Sequence, residues 1–173
     1  DEQGDTQKAK QGYQKAVKVE DCAADAWCNL GIIESQEGNY PKAIDCFTRC
    51  LRQDPRHSEA HYNLANLYYG MGKYDEAIEL LRDVEFTDVF YNLGGRTILM
   101  KSYYELSEDE AFFNLCDTFK IYLHRNKKIS SAQAQGYKNM IRFGRKAFKL
   151  QVNHHFMADN QFQGQLKKLE LMI

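Results

Sequence analysis

The sequence predicts an all-α fold in which antiparallel helix pairs stack into a solenoid. The first observation is a period of 34 residues, which places Asn29 on Asn63 and Gly38 on Gly72. Within each copy, the apolar residues fall at helical spacing in two blocks that a glycine separates. Proline occurs only at positions 41 and 55, so strands punctuated by tight turns are hard to find.

The predicted elements follow this repeat from the N-terminus. They are half a repeat and two complete repeats, over residues 1–23, 24–57 and 58–86. The half repeat is a second helix without its first, because a shift of 34 residues places Gly4 on Gly38. We therefore expect a fragment that begins inside a longer array. In the complete repeats, Gly38 and Gly72 are expected in the turns between helices, where a side chain would crowd the backbone. Ser58 is the predicted N-cap of the second repeat.

The third repeat is out of phase. YNLG at residue 91 copies YNLA at residue 62, but it follows after 29 residues instead of 34. We predict a modified helix pair over residues 87–127, with a shortened link and an extended first helix. Gly94 and Gly95 lie inside that helix at a cost of about 1 kcal/mol each relative to Ala. This cost suggests close approach of a neighbouring helix or a ligand, although a tolerated packing glycine is the simpler interpretation.

Residues 128–153 are predicted to form a basic capping helix, with Ser130 or Ser131 as its N-cap. One side of its helical wheel is apolar, and the opposite side is a basic face. The predicted basic face consists of Lys138, Arg142, Arg145 and Lys149. A polar outer face is what a repeat array requires at its end, so we expect the apolar side to pack on the stack. Residues 154–173 are predicted as a C-terminal tail, either a short amphipathic helix or a mobile segment.

Composition narrows the function classes. The sequence has no run of 18 or more apolar residues and no signal-type N-terminal segment, which predicts a soluble protein without a transmembrane segment. Its five cysteines cannot all pair within one chain, which favours a reducing compartment and a cytoplasmic location.

No catalytic, cofactor or metal site is predicted. The sequence has no glycine-rich phosphate loop, no Gly-x-Ser-x-Gly elbow, no His-Glu-x-x-His and no Cys-x-x-Cys. Cys46 and Cys50 lie one helical turn apart and Cys28 could face them, so a thiolate metal site is one hypothesis. Without a ligand-spacing motif, small buried hydrophobic side chains are the preferred interpretation. We therefore do not expect an enzyme.

The repeat resembles the tetratricopeptide repeat. The residues that carry the resemblance are Trp27, Leu30, Gly31, Gly38, Tyr40, Ala43, Phe47 and Pro55. The resemblance implies a right-handed α-solenoid that acts as a protein- or peptide-binding scaffold or adaptor. It also implies that the first helix of each repeat lines a concave groove.

This groove holds the candidate binding residues. Asn29, Asn63 and Asn92 each precede a leucine at equivalent positions, and a row of amides can pair with the backbone of an extended peptide. The complete predicted set is Asn29, Tyr62, Asn63, Asn66, Tyr69 and Asn92. An equally supported alternative is that the asparagines tie neighbouring helices together. Only Asn63 matches the two-carboxylate clamp of chaperone-binding relatives, which argues against that specificity.

Charge divides along the chain. Residues 1–117 contain 12 Lys/Arg and 22 Asp/Glu, whereas residues 118–173 contain 11 and 2. Such a dipolar chain could associate head-to-tail with itself, or bind a polyanion through the basic face. Nucleic acid ranks below protein as a partner, because the aromatic residues fall on the apolar side of the helix. A further alternative is a non-catalytic regulatory module of a larger enzyme, or of a secretion or assembly complex.

Overall fold

The computed structural model describes residues 2–19 and 24–153, together with residues 164, 165, 167 and 168 of the tail. Eight helices are defined in this part of the chain, and no described residue is in a strand, so the all-α prediction is confirmed. The helices are α1 (Glu2–Val19), α2 (Ala24–Gln36), α3 (Tyr40–Gln53), α4 (Ser58–Gly70), α5 (Tyr74–Leu81), α6 (Val89–Glu105), α7 (Asp109–Arg125) and α8 (Ser131–Asn153).

The structure forms two compact units, residues 1–99 and 100–173, whose boundary falls inside α6. Helix α6 has 17 residues, whereas α2 and α4 have 13 each. The rest of the predicted tail, and the link over residues 20–23, lie outside the described residues. No helix among the described residues is long and apolar enough to cross a membrane.

In the first unit, α2 and α4 are each followed by a turn of the same geometry. Gly38 and Gly72 have φ of +78° and +74°, in the left-handed region that favours glycine. The residue after each glycine donates a backbone hydrogen bond to a carbonyl of the preceding helix. The Asn39 N–H donates to the Glu34 carbonyl at 2.8 Å, and the Lys73 N–H donates to the Tyr68 carbonyl at 2.9 Å. The glycine period therefore corresponds to a shared turn geometry.

Small residues set the helix spacing in this unit. A Cβ on Gly31 would lie 2.7 Å from the Phe47 ring, so α3 can approach α2 this closely only because position 31 has no side chain. Ala43 and Ala60 are fully buried, and Phe47 is 1% exposed. In the core of the first unit, the Phe47 ring thus packs where glycine and alanine leave space for it, together with other buried residues, Cys28, Cys50, Leu64 and Leu67.

A partly buried ion-pair network attaches α1 to the C-terminal end of α2. Lys10 Nζ lies 2.8 Å from Glu34 Oε1 and 2.6 Å from Glu37 Oε2, and Asn39 Nδ2 donates to Glu34 Oε2 at 2.9 Å. Burial acts to raise the pKa of Glu34, but the hydrogen bonds from Lys10 and Asn39 outweigh it and lower the pKa. The same carboxylates raise the pKa of Lys10. This network joins the half repeat to the first complete one.

Helix capping corrects one prediction and supports another. The N-cap of α4 is His57, whose ring accepts from the Ala60 N–H at 3.2 Å, so the prediction of Ser58 is wrong. Asp25 contacts the other side of that ring and orients it. At α8 the Ser130 hydroxyl accepts from the Gln133 N–H at 3.2 Å, as a cap should.

In the second unit, α8 packs its apolar side against α7. The Phe112 and Phe148 rings stack with centroids 4.6 Å apart, and Tyr137 lies against Phe119 at 5.6 Å. Ile141 is fully buried, and Tyr104 of α6 meets Phe148 edge-on at 5.7 Å. An aromatic cluster therefore holds α8 in place.

Replacing Gly72 with Ala should lower the free energy of unfolding by about 1 kcal/mol, because the Cβ of an alanine is sterically strained at this positive φ. Gly70→Ala is the matched control, since Gly70 is helical and has open space around a Cβ. It should change stability by less than about 0.5 kcal/mol. Urea unfolding of both variants measures the difference, and equal stabilities would contradict the role of the turn.

Replacing Glu34 with Gln should lower the free energy of unfolding at pH 7 by about 1–2 kcal/mol, because Lys10 loses the more buried of its two charged partners. The folded-state pKa of Glu34 is lowered, so its contribution is complete above the ordinary carboxyl pKa and is lost as pH falls through the lowered value. Urea unfolding at pH 7 and pH 3 should therefore show a smaller difference between wild type and variant at pH 3. A difference that grows in acid would contradict this sign.

Candidate functional site

A groove of about 390 Å³ lies in the first unit between α2, α3 and α4. Helix α2 lines it with Ser35 and Gln36, among others, and α4 lines it with Asn63 and Asn66. None of the residues that line the groove is charged. The groove is therefore a surface of amides, a hydroxyl and apolar groups.

Its apolar surfaces differ in exposure. Phe47 and Leu67 are 1% and 8% exposed, so they belong to the buried core that closes the bottom of the groove. Tyr40 and Met71 line the same groove but are 45% and 43% exposed. Large exposed apolar side chains at a groove edge offer contact area to a ligand.

The two asparagines of the groove have amides available for a ligand. Asn63 is half-buried and Asn66 is exposed, three residues apart on α4. Neither side chain makes a hydrogen bond to another residue in the described part of the chain. Each amide can therefore donate and accept at the same time.

The other four predicted binding residues do not line this groove. Asn92 already uses its amide locally, since Nδ2 donates to the Phe86 carbonyl at 3.4 Å and Oδ1 accepts from Arg96 Nε at 2.8 Å. Asn29 is half-buried on α2. The Tyr69 ring lies 5.4 Å from the Tyr74 ring.

Two aromatic rings, of Tyr62 and Phe86, explain the glycine pair of α6. The Tyr62 ring packs against Phe90 and Tyr91 at 5.8 and 5.7 Å, and it occupies the space that a Cβ on Gly94 would need. A Cβ on Gly95 would lie 2.8 Å from the Phe86 ring. Both glycines are therefore packing positions at which aromatic rings of the same unit approach the helix backbone.

The predicted basic face is only partly open. Lys138, Arg142 and Lys149 are exposed, but Arg145 Nη1 donates to Asp117 Oδ1 at 2.7 Å. The same guanidinium lies 4.9 Å from the centre of the Phe113 ring. The hydrogen bond from Arg145 lowers the pKa of Asp117. Arg145 thus stabilises the contact between α7 and α8.

The buried cysteines fall into two kinds. Burial raises the pKa of Cys46 and Cys116 to about 11, which is the behaviour of isolated apolar thiols. Cys28 and Cys50 instead form a pair, in which the hydrogen bond to Cys50 and burial raise the pKa of Cys28. Cys22 lies outside the described residues.

Sequence reasoning missed the groove residues that come from the turns. Tyr40 and Met71 lie within two residues of the turn glycines Gly38 and Gly72. The available signal was Met71, an apolar residue at the turn position where the preceding repeat has the polar Glu37. Which side of the turn faces the groove depends on how the helices pack, and the period alone does not give it.

Residues 34–89 match the family model described as Tetratricopeptide repeat. This segment of the first unit is thus of the tetratricopeptide type. It is 39% identical over 66 residues to Tetratricopeptide repeat protein 8 of Caenorhabditis elegans, covering 38% of this chain and 13% of that protein. It is 27% identical over 107 residues to Type IV pilus assembly protein PilF of Pseudomonas aeruginosa, covering 58% and 42%.

A third relative is Neutrophil cytosol factor 2 of Bos taurus, 36% identical over 55 residues, covering 32% of this chain and 10% of that protein. The chain thus spans less than half the length of these relatives. Family and relatives together support a protein-interaction scaffold in general terms.

Replacing Gly94 with Ala should lower the free energy of unfolding by about 1 kcal/mol, because overlap with the Tyr62 ring exceeds the gain in helix propensity. In a Tyr62→Ala background the same change should raise stability by about 0.5–1 kcal/mol. Gly136→Ala in α8 is the control, since nothing surrounds its Cβ, and it should stabilise by a similar amount. A double-mutant cycle in urea measures the coupling, and a coupling near zero would contradict the packing role.

Proposed function

We propose that this chain binds an extended peptide segment of a partner protein in the groove between α2, α3 and α4. The observation that carries the proposal is the pair Asn63 and Asn66, whose amides have no hydrogen bond to another described residue and lie in an uncharged groove that the exposed side chains of Tyr40 and Met71 also line. A general protein-interaction scaffold needs such a surface, and we assign it to this groove.

The chemistry of the groove selects for backbone and apolar contacts. The amides of Asn63 and Asn66 would donate to peptide carbonyls and accept from peptide N–H groups. Tyr40 and Met71 would cover an apolar side chain of the peptide, while Phe47 forms the bottom of the groove beneath it. That peptide side chain would then be removed from water. Ser35 and Gln36 supply further polar partners across the groove on α2.

The absence of charge from the groove lining supports a neutral ligand. A clamp for a terminal carboxylate would need lysine or arginine, whereas this chain has Cys28 and Ile32 on α2 at two positions of the pattern that similar, chaperone-binding repeats use. Affinity should therefore depend little on ionic strength, because no ion pair forms on binding.

Asn29, Asn92, Tyr62 and Tyr69 remain predictions as ligand contacts of a longer peptide. The roles as regulatory module or as part of an assembly complex also remain predictions, and each would use the same groove. One relative's name includes pilus assembly, and we propose a scaffold or adaptor role within a larger protein as the setting for peptide capture.

The double variant Asn63→Ala, Asn66→Ala should bind a groove peptide at least tenfold more weakly than wild type, because two hydrogen bonds are lost at about 1 kcal/mol each. Peptides are first selected on the wild-type chain from a phage-displayed library of random sequences. A fluorescently labelled selected peptide is then titrated with each protein, and anisotropy reports binding.

Asn114→Ala is the matched control, since Asn114 is an exposed amide of α7 in the second unit. It should leave the affinity unchanged, as should raising the salt from 0.05 to 0.5 M, a range of about tenfold in ionic strength. The groove proposal fails if the double variant binds like wild type, or if salt abolishes binding.

A further inference from the structure

Away from the asparagines of the groove, three metal-binding side chains converge where α2, α3 and the start of α4 meet. The sulfur atoms of Cys28 and Cys50 and a ring nitrogen of His57 all lie within 4.8 Å of one another. Cys28 and Cys50 are 1% and 0% exposed, and the His57 side chain is 12% exposed. Three different segments of the repeat therefore supply one donor atom each to a single buried point.

Hydrogen bonds fix the orientation of the His57 ring. Nδ1 accepts from the Ala60 N–H, so the ring proton is on Nε2 and is donated to Asp25 Oδ1 at 2.9 Å. A carboxylate that accepts from one ring nitrogen while the other binds metal is the usual support of a histidine ligand. Coordination through Nδ1 would keep the Asp25 bond and replace one helix-cap bond.

We propose that Cys28, Cys50 and His57 bind a divalent cation of the Zn²⁺ class. Two thiolates and an imidazole are the donor set that zinc prefers, whereas Mg²⁺ and Ca²⁺ prefer oxygen. Binding would release one proton from each thiol to solvent, and the charges of the cation and the two thiolates then cancel. Such a neutral cluster can be buried without a large desolvation cost.

The geometry requires only a small contraction. With Zn–S of about 2.3 Å and Zn–N of about 2.0 Å, tetrahedral ligand atoms lie roughly 3.3–3.8 Å apart. The three donor atoms, at most 4.8 Å apart, would each move by less than about 1 Å. The fourth position would hold a water molecule. The cation would link α2, α3 and the first turn of α4, and so act as a structural brace of the first complete repeat.

The test uses the whole chain, reduced and stripped of metal with a chelator. Zinc is titrated in competition with a chromophoric chelator, and Co²⁺ is added separately because thiolate coordination gives a charge-transfer absorption. We expect one equivalent of Zn²⁺ per chain, a thiolate-to-cobalt band, and a rise in melting temperature with zinc. His57→Asn keeps a cap acceptor for Ala60 and removes the imidazole, so it should weaken zinc binding at least tenfold while the helix content by circular dichroism is retained.

Cys28→Ser should abolish the cobalt band, and Cys46→Ser is the matched control, since Cys46 is another buried thiol of α3 that is not in the cluster. The control should bind zinc like wild type. Failure of the reduced wild type to compete for zinc with a micromolar chelator would overturn the proposal without any variant. So would equal loss of binding in Cys46→Ser, or a Cys28–Cys50 disulfide that forms in place of the metal complex.

Discussion

The close approach of paired helices at small residues is the constraint on which the first unit depends. Phe47 can be fully buried only because Gly31 leaves room for its ring. Ala43 and Ala60 are themselves fully buried between the helices. A larger side chain at these positions would push the helices apart and open the core to water. The repeat period therefore records a spacing between helices as well as a sequence pattern.

That spacing places two different surfaces on the same three helices. On one side, Asn63 and Asn66 of α4 face a groove whose other wall comes from α2. Elsewhere on the same helices, Cys28 and Cys50 meet His57 in the buried core. The groove is open, uncharged and suited to a ligand, whereas the cysteine cluster is closed and suited to an ion. A change that alters the helix spacing should affect both.

The out-of-phase third repeat shows how local exceptions arise from packing. Gly94 and Gly95 are unfavourable in an isolated helix, but Tyr62 and Phe86 use the space that they leave. Asn92 resembles the other two asparagines in sequence, yet its amide is engaged by the Phe86 carbonyl and Arg96. An equivalent position in the repeat thus need not have an equivalent environment, because the link before α6 is shorter.

The sequence by itself determined the all-α class, the repeat, the turn glycines and the apolar side of α8, because periodicity and backbone conformation are local properties of the chain. It did not determine that Asn92 is engaged while Asn63 and Asn66 have no hydrogen bond to another described residue, since the Phe86 carbonyl that accepts from Asn92 belongs to the link before α6. It also selected the cap at Ser58, where the structure uses His57, because Asp25 from another helix orients that ring. Only the tertiary structure joined Cys28, Cys50 and His57, which no spacing motif connects, and placed Tyr40, Met71 and Asn63 in one groove.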